Sequence, residues 1–265
     1  MIVWLNEALA DAATARIDPS DRGFLLGDGL FETIAMRGGK ILRLESHLAR
    51  LQLGCEVLQL PCPAIDFQTA IEATAVANHF SDAAIRLTLT RGGAPRGLLP
   101  PGKTDVTLVI GASSLPGLPP PARCVIATVT RRNEHSPLAS IKSLNYLDNI
   151  LARQEAVARG ANEAILLNTA GYVAESCVAN LFILKDNRVI TPPVADGALP
   201  GVMRAAVLHA YDSSQASLTV DDLHTADGIF LTNSLGIRAV ISLDGKTVGN
   251  AARAFMEDVR TRLAA

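Results

Sequence analysis

Two residues carry the plainest invitation to chemistry in this 265-residue chain, Lys142 and Glu175. Lys142 precedes a run in which Leu144, Leu147, Leu151 and Ala158 follow the three-and-four spacing of an amphipathic helix that closes at Gly160. The positive end of such a helix and partial burial both disfavour a second positive charge, so the amine's pKa is expected to fall. A neutral amine is what a lysine needs to condense with an aldehyde and afterwards to carry a proton. Taken alone, the same residue also reads as an ordinary surface lysine. Glu175 is a carboxylate in a hairpin strand, and taken alone it reads as a surface acid at a strand end.

Other candidates are spread along the chain. Glu32 alternates with Leu30 and Ile34 on one face of a strand, and an acid on an apolar face means a salt bridge or a site. His47 and Arg50 lie beside the apolar stripe Leu44, Leu48, Leu51, Cys55 and Leu58 of a helix. Arg91 and Arg96 bracket a glycine-rich stretch that is either a carboxylate-binding fork or a flexible basic loop. Gly201 stands directly before a helix, which leaves the first backbone amides pointing outward and suits a phosphate.

The elements that must position these residues are read from periodicity and turn residues. A strand at 2–5 leads through a polar loop at 18–23 to a hairpin, 30–36 turning at Gly38 and Gly39 and leaving through Ile41 and Leu42. Helices are expected at 44–58 and 67–78, then strands at 84–90 and 105–110. Residues 115–121 read LPGLPPP, stiff, extended and poor in donors, which marks a linker between a domain at 1–114 and a second at 122–265. The second part reads as a strand at 123–130, the helix after Lys142, and a hairpin of 163–167 and 172–175 turning at 168–171. Strands at 180–184 and 188–191, a helix through His209, a strand at 228–231 and a closing helix at 251–263 follow. The pattern is a two-domain mixture of strands and helices, α/β in the broad sense (α+β).

Nearly half the residues (49%) are apolar and the formal charge is −2, which excludes a disordered chain and gives no reason to expect nucleic acid as a partner. The opening residues 1–6 lack the basic, apolar and small-residue succession of a signal peptide, and no apolar run reaches membrane-spanning length, so the cytoplasm is the expected compartment. Cys55, Cys62, Cys124 and Cys177 show no paired metal spacing and read as free thiols; no metal is expected.

Six separated segments, in order, resemble the class IV aminotransferases of pyridoxal phosphate fold type IV. They are 27–33, His47 with Arg50 and Leu51, 142–145, Glu175 through Asn180 with Phe182, 201–204, and 232–234. The group contains branched-chain aminotransferases, D-amino-acid aminotransferases and aminodeoxychorismate lyases, and the resemblance covers essentially the whole chain. It implies a cofactor, pyridoxal 5'-phosphate, in the cleft between two α/β domains of a homodimer. It further implies that Lys142 is the Schiff-base lysine and that Glu175 pairs with the ring nitrogen. Arg50, the amides of Val202 and Met203, and the Ser234 and Leu235 region would contact the phosphate, with Asn180 also among the cofactor-binding residues. Phe31, Glu32, His47, Arg91 and Arg96 are the candidates for touching substrate.

Within that family, D-amino-acid aminotransferases place an arginine and a histidine two residues apart to hold the substrate carboxylate. Here the run is Arg96, Gly97, Leu98, and leucine cannot donate. Arg91-Gly92, Arg96-Gly97 with Pro100 downstream, Ala179 to Phe182, and Leu231 to Ser234 look more like the lyases, as does the chain's compactness. Phe31 to Thr33 and the 142–151 run suit a D-amino-acid aminotransferase about as well. The preferred expectation is a 4-amino-4-deoxychorismate lyase of folate biosynthesis, giving 4-aminobenzoate and pyruvate. A D-amino-acid or branched-chain aminotransferase is the alternative, and a non-catalytic cofactor-binding module is a third.

Overall fold

The computed structural model describes residues 1–263, and the chain divides into two units. Unit 1 comprises Met1–Gly117 together with Ile141–Asn145; unit 2 comprises Leu118–Ser140 and the chain from Tyr146 onward. The chain leaves unit 1 within the proline-rich stretch at 115–121. The short segment around Lys142, however, is counted with unit 1 rather than with 122–265. The cause is backbone pairing: Phe31 N–H donates to Lys142 O (2.9 Å) and Leu144 N–H to Gly29 O (3.0 Å).

Unit 1 is built on an antiparallel sheet of β1 (Ile2–Leu5), β2 (Ala8–Asp11), β3 (Gly29–Arg37), β4 (Lys40–Ile41), β5 (Ala83–Thr90) and β6 (Thr107–Ser114), ordered β2-β1-β6-β5-β3-β4. One sheet face carries Leu30, Ile34, Ile85, Leu87, Leu89 and Ile110, all buried, against helices α2 (Leu44–Leu58) and α3 (Phe67–Ala77). The period of two that creates this face sends Phe31, Thr33, Arg86 and Thr88 to the other, where Thr33 pairs with Arg86 and Phe31 with Thr88. The stretch read as a loop at 18–23 instead opens a short helix, α1 (Arg22–Leu26), because the Asp21 carboxylate accepts from the Gly23 and Phe24 amides. Gly27 ends α1 in the left-handed region (φ 69°), where a side chain would also meet Asn145.

Unit 2 holds a mixed sheet of nine strands: β7 (Ala122–Ile126), β8 (Glu163–Leu167), β9 (Val173–Ser176), β10 (Asn180–Lys185), β11 (Arg188–Thr191), β12 (Ser213–Gln215), β13 (Gly228–Asn233), β14 (Gly236–Leu243) and β15 (Lys246–Thr247). The path runs β12-β11-β10-β13-β14-β7-β8-β9, with β15 on β14. Helices α4 (Leu147–Ala158), α5 (Val202–Ala210), α6 (Val220–His224) and α7 (Ala252–Leu263) accompany it. All five residues of β8 are buried, the mark of a strand covered on both faces. The strand expected at 123–130 stops at Ile126, and β14, unnoticed in the sequence, lies between β13 and β7.

Helix α4 departs from the sequence reading twice. It begins at Leu147 with Tyr146 as N-cap, so Lys142 is four residues ahead of the cap in extended chain, beyond the reach of a terminal dipole. Its buried face is Asn149, Ala152 and Ala156, whereas Leu147, Ile150 and Leu151 are exposed. Small residues face inward here because α4 packs close on β8. Among the described residues no helix is long and apolar enough to cross a membrane.

Candidate functional site

In unit 1 the chemistry gathers on both sides of β3. On the helix-facing side Glu32 is 1% exposed and fully engaged. Its Oε1 accepts from Arg50 Nε (2.8 Å), and its Oε2 from Arg50 Nη2 (2.6 Å) and pairs with His47 Nδ1 (2.7 Å). One turn of α2 separates His47 from Arg50, so both reach the same carboxylate. Burial pushes the Glu32 carboxyl up, but His47 and Arg50 outweigh it and hold it below the ordinary value. Glu32 is thus a salt-bridge partner that fixes Arg50 and His47.

On the other side of β3 the half-buried Lys142 sets its Nζ over the Phe31 ring, 4.2 Å from the centroid. The exposed Arg86 lies over the same ring, its Cζ 3.5 Å from the centroid. Sequence reasoning passed over Arg86. Alternation in β5 does place it opposite Ile85 and Leu87, but its neighbour Phe31 is known only once β3 and β5 are in register.

The two loop arginines separate. Arg91 is 4% exposed and its donors are committed: Nε to Asp28 Oδ2 (2.7 Å), Nη1 to Gln59 O (2.9 Å) and Nη2 to Leu58 O (2.7 Å). It caps the C-terminus of α2, and these bonds take up the donors that a substrate carboxylate would use. Asp28 is shared with Arg22 Nε (2.8 Å), whose two Nη atoms hold the Gly97 and Leu98 carbonyls at 2.7 Å each. Arg96 is exposed on that clamped loop, lining a cavity of about 710 Å³ with Leu25, Leu26 and Leu98.

In unit 2 Glu175, on β9, is 6% exposed. Oε1 pairs with Arg132 Nη2 (3.1 Å), while Oε2 accepts from Leu199 N–H (3.0 Å) and lies 3.5 Å from Asn180 Nδ2. Asn180 Nδ2 also donates to Leu199 O (2.8 Å). Its Oδ1 packs so close to Gly201 that a Cβ there would sit 1.9 Å away, and only glycine fits. Gly201 is the N-cap of α5 and no side chain caps that end, so the amides of Val202 and Met203 lack the partners a helix interior would give.

Beside this helix start two buried polar atoms have no hydrogen-bond partner among the described residues, Thr232 Oγ1 and Arg204 Nε. Thr232 is the cross-strand partner of Asn180 and shares its face. Arg204, in the first turn of α5, donates through Nη2 to Pro192 O and Gln215 Oε1. Burial pushes its pKa below the usual guanidinium value, and Glu175 counters. Ser234 and Leu235 are half-buried at the end of β13, where Leu235 N–H donates to Asn233 Oδ1. Unit 2 therefore presents a buried carboxylate and, close by along the chain, unspent donors at a helix N-terminus, the pair that an aromatic nitrogen and a phosphate on one molecule would require.

The model of the family described as amino-transferase class IV matches residues 29–243. A Methanocaldococcus jannaschii protein provisionally named a branched-chain-amino-acid aminotransferase is 32% identical over 260 residues, 94% of this chain and 90% of its own. The aminodeoxychorismate lyase of Vibrio harveyi is 32% identical over 225 residues, 81% of this chain and 82% of its own. Among solved structures, the 4-amino-4-deoxychorismate lyase of Pseudomonas aeruginosa superposes with a TM-score of 0.85 at 31% identity, covering 99% of this chain and 100% of that one.

Proposed function

The chain belongs to the class IV aminotransferases, a pyridoxal-phosphate-dependent family, and on that premise we propose that it is a lyase converting 4-amino-4-deoxychorismate to 4-aminobenzoate and pyruvate. The observation that carries the reading is the cluster of Lys142, Phe31 and Arg86. It offers an amine, an aromatic ring and a guanidinium plane together, a surface suited to a flat, unsaturated, anionic ring. A trap for the carboxylate of a small amino acid is poorly supplied: Arg91 is committed to α2, and position 98 is an exposed leucine.

The residues present fit the cofactor. The uncapped amides of Val202 and Met203, with the unpartnered Thr232 hydroxyl, suit the phosphate, Glu175 suits the ring nitrogen, and Lys142 supplies the amine that bonds the aldehyde. Bound pyridoxal phosphate supplies the sink for the electrons left on the substrate. Released from the aldehyde when the substrate's amine takes its place, Lys142 Nζ would take the proton from the carbon bearing that amine. The ring C–O bond would then break, the enolpyruvate would leave and take a proton at its methylene carbon to become pyruvate, and aromatisation of the ring would drive the reaction. Arg86 binds a substrate carboxylate, with Arg96 a second candidate, and Glu32 with His47 keeps Arg50 in place for its phosphate contact.

A transaminase of branched-chain or D-amino acids is the second reading, favoured by the likeness to the Methanocaldococcus protein along 90% of its length. There Lys142 would return the proton to the cofactor and a 2-oxo acid would be required. The purified holoenzyme is given aminodeoxychorismate, and separately D-alanine or L-leucine with 2-oxoglutarate. 4-Aminobenzoate and pyruvate formed without any oxo acid support the lyase; oxo-acid-dependent amine transfer without aminobenzoate replaces it with the transaminase. A homodimer in the cytoplasm completes the proposal. Exposed Leu147, Ile150 and Leu151 on α4 supply apolar surface for a second copy, and sedimentation measures the mass.

A further inference from the structure

Arg132 was absent from the sequence-based candidates, yet its guanidinium reaches three separate segments of unit 2. Nε donates to Gly197 O (3.2 Å), Nη2 to Ala139 O (3.4 Å), and Nη2 also pairs with Glu175 Oε1 at 3.1 Å. Its backbone is anchored independently, since Arg132 N–H donates to Leu167 O (2.9 Å) on β8, the strand paired with β9. The side chain is 17% exposed and that of Glu175 8%, so the pair is poorly screened. Gly197, with φ at 91°, lies against the arginine's own Cβ, which keeps the segment leading to Leu199 close.

This arrangement divides the Glu175 carboxylate. Oε1 goes to a cation, and Oε2 to the Leu199 amide with Asn180 beside it. A carboxylate so held is fixed in orientation, and the arginine already draws on part of its negative charge. Arg204 of α5 also lies within electrostatic range of Glu175 and acts in the same sense.

We infer that Arg132 is a positioning residue that sets how firmly Glu175 holds a proton on the cofactor's ring nitrogen. The inference rests on the reading that Glu175 faces that nitrogen. With Arg132 present, part of the carboxylate's charge is balanced before the nitrogen arrives, so the nitrogen's proton is released at a lower pH than a lone glutamate would allow. The ring is then tuned by a protein cation that does not itself touch it.

The test is the ¹⁵N resonance of ring-labelled pyridoxal phosphate, followed against pH in wild-type, R132Q, R132K and E175Q holoenzymes at saturating cofactor. In R132Q the midpoint for loss of the ring proton is expected to rise by about one pH unit, the order expected for removing one positive charge a few ångströms from the carboxylate. R132K keeps the charge and is expected to stay within about 0.3 pH unit of wild type. E175Q is expected to lose the protonated-nitrogen signal at neutral pH. An unchanged or lowered midpoint in R132Q, with the E175Q signal lost, overturns the role of Arg132 alone. A wild-type signal in E175Q overturns the reading of Glu175 itself, and the inference with it. Should R132Q fail to take up cofactor, R132K decides: a midpoint at the wild-type value supports the charge role, and a displacement of a full unit overturns it.

Discussion

Two buried glutamates, Glu32 in unit 1 and Glu175 in unit 2, both meet arginines but are used differently. Glu32 is spent: Arg50 takes it bidentately and His47 takes what remains. Glu175 meets Arg132 through one nitrogen at 3.1 Å, and its other oxygen faces a backbone amide and a side-chain amide. A bidentate ion pair with a third partner is a structural rivet whose purpose is to fix the arginine. A carboxylate met by donors from several segments is held in orientation by all of them. Burial alone does not separate the two, since both are less than a tenth exposed; the number and direction of the partners do.

The contrast breaks most sharply under substitution by glutamine. In the role proposed for Glu175, E175Q removes the charge that would keep a proton on the ring nitrogen, and kcat is expected to fall about 10²–10³-fold, with a smaller loss of stability than E32Q because Arg132 keeps its carbonyl partners. E32Q leaves Arg50 and His47 facing a neutral amide in a buried place, so the expected loss is in stability, about 3–5 kcal/mol by chemical denaturation. If E32Q instead unfolds like wild type and takes up cofactor normally while turnover suffers, Glu32 belongs with the substrate-contacting residues. R91M removes the cap on α2 and one of the two partners of Asp28, an expected cost of about 1–3 kcal/mol without a change in KM. A raised KM in a stable R91M would return Arg91 to the substrate.

Acid sharpens the comparison further. Glu32 is held below its ordinary pKa of 4.5 despite burial, and in unit 2 Glu155 is held at about 2, where burial's opposing push is outweighed by the Thr128 and Val129 amides, the Thr128 hydroxyl and Arg159. Both are depressed in the folded state. Their stabilisation is therefore complete above about pH 4.5 and is lost as pH falls through the folded values. Stability measured against pH is expected to be flat above about pH 5.5 and to decline below 4.5, with E155Q flattening the decline toward pH 2.

Local patterns made much of this legible. Alternation in 30–36 put Glu32 on the face of Leu30 and Ile34, and the glycine before α5 marked an uncapped helix start. What escaped depends on pairing between distant segments. Arg86 gains its meaning from β3, more than 50 positions away, and Arg132 from β9, some 40 positions on. The α4 stripe misled because leucines were read as the inward face when Ala152 and Ala156 pack inward. The helix dipole beyond Lys142 begins too late to act on it, and the setting of Lys142 beside Phe31 comes from a backbone bridge to β3.

The identity of the cofactor-bonding lysine tests the account most directly. Holoenzyme reconstituted with pyridoxal phosphate is reduced with borohydride, which fixes a lysine-bound cofactor, then digested and mapped by mass spectrometry. The account expects the pyridoxyl group on the peptide carrying Lys142, and no fixed cofactor in K142A. A label on Lys40, Lys103, Lys185 or Lys246 in the wild-type protein, or equal labelling of K142A, would contradict it.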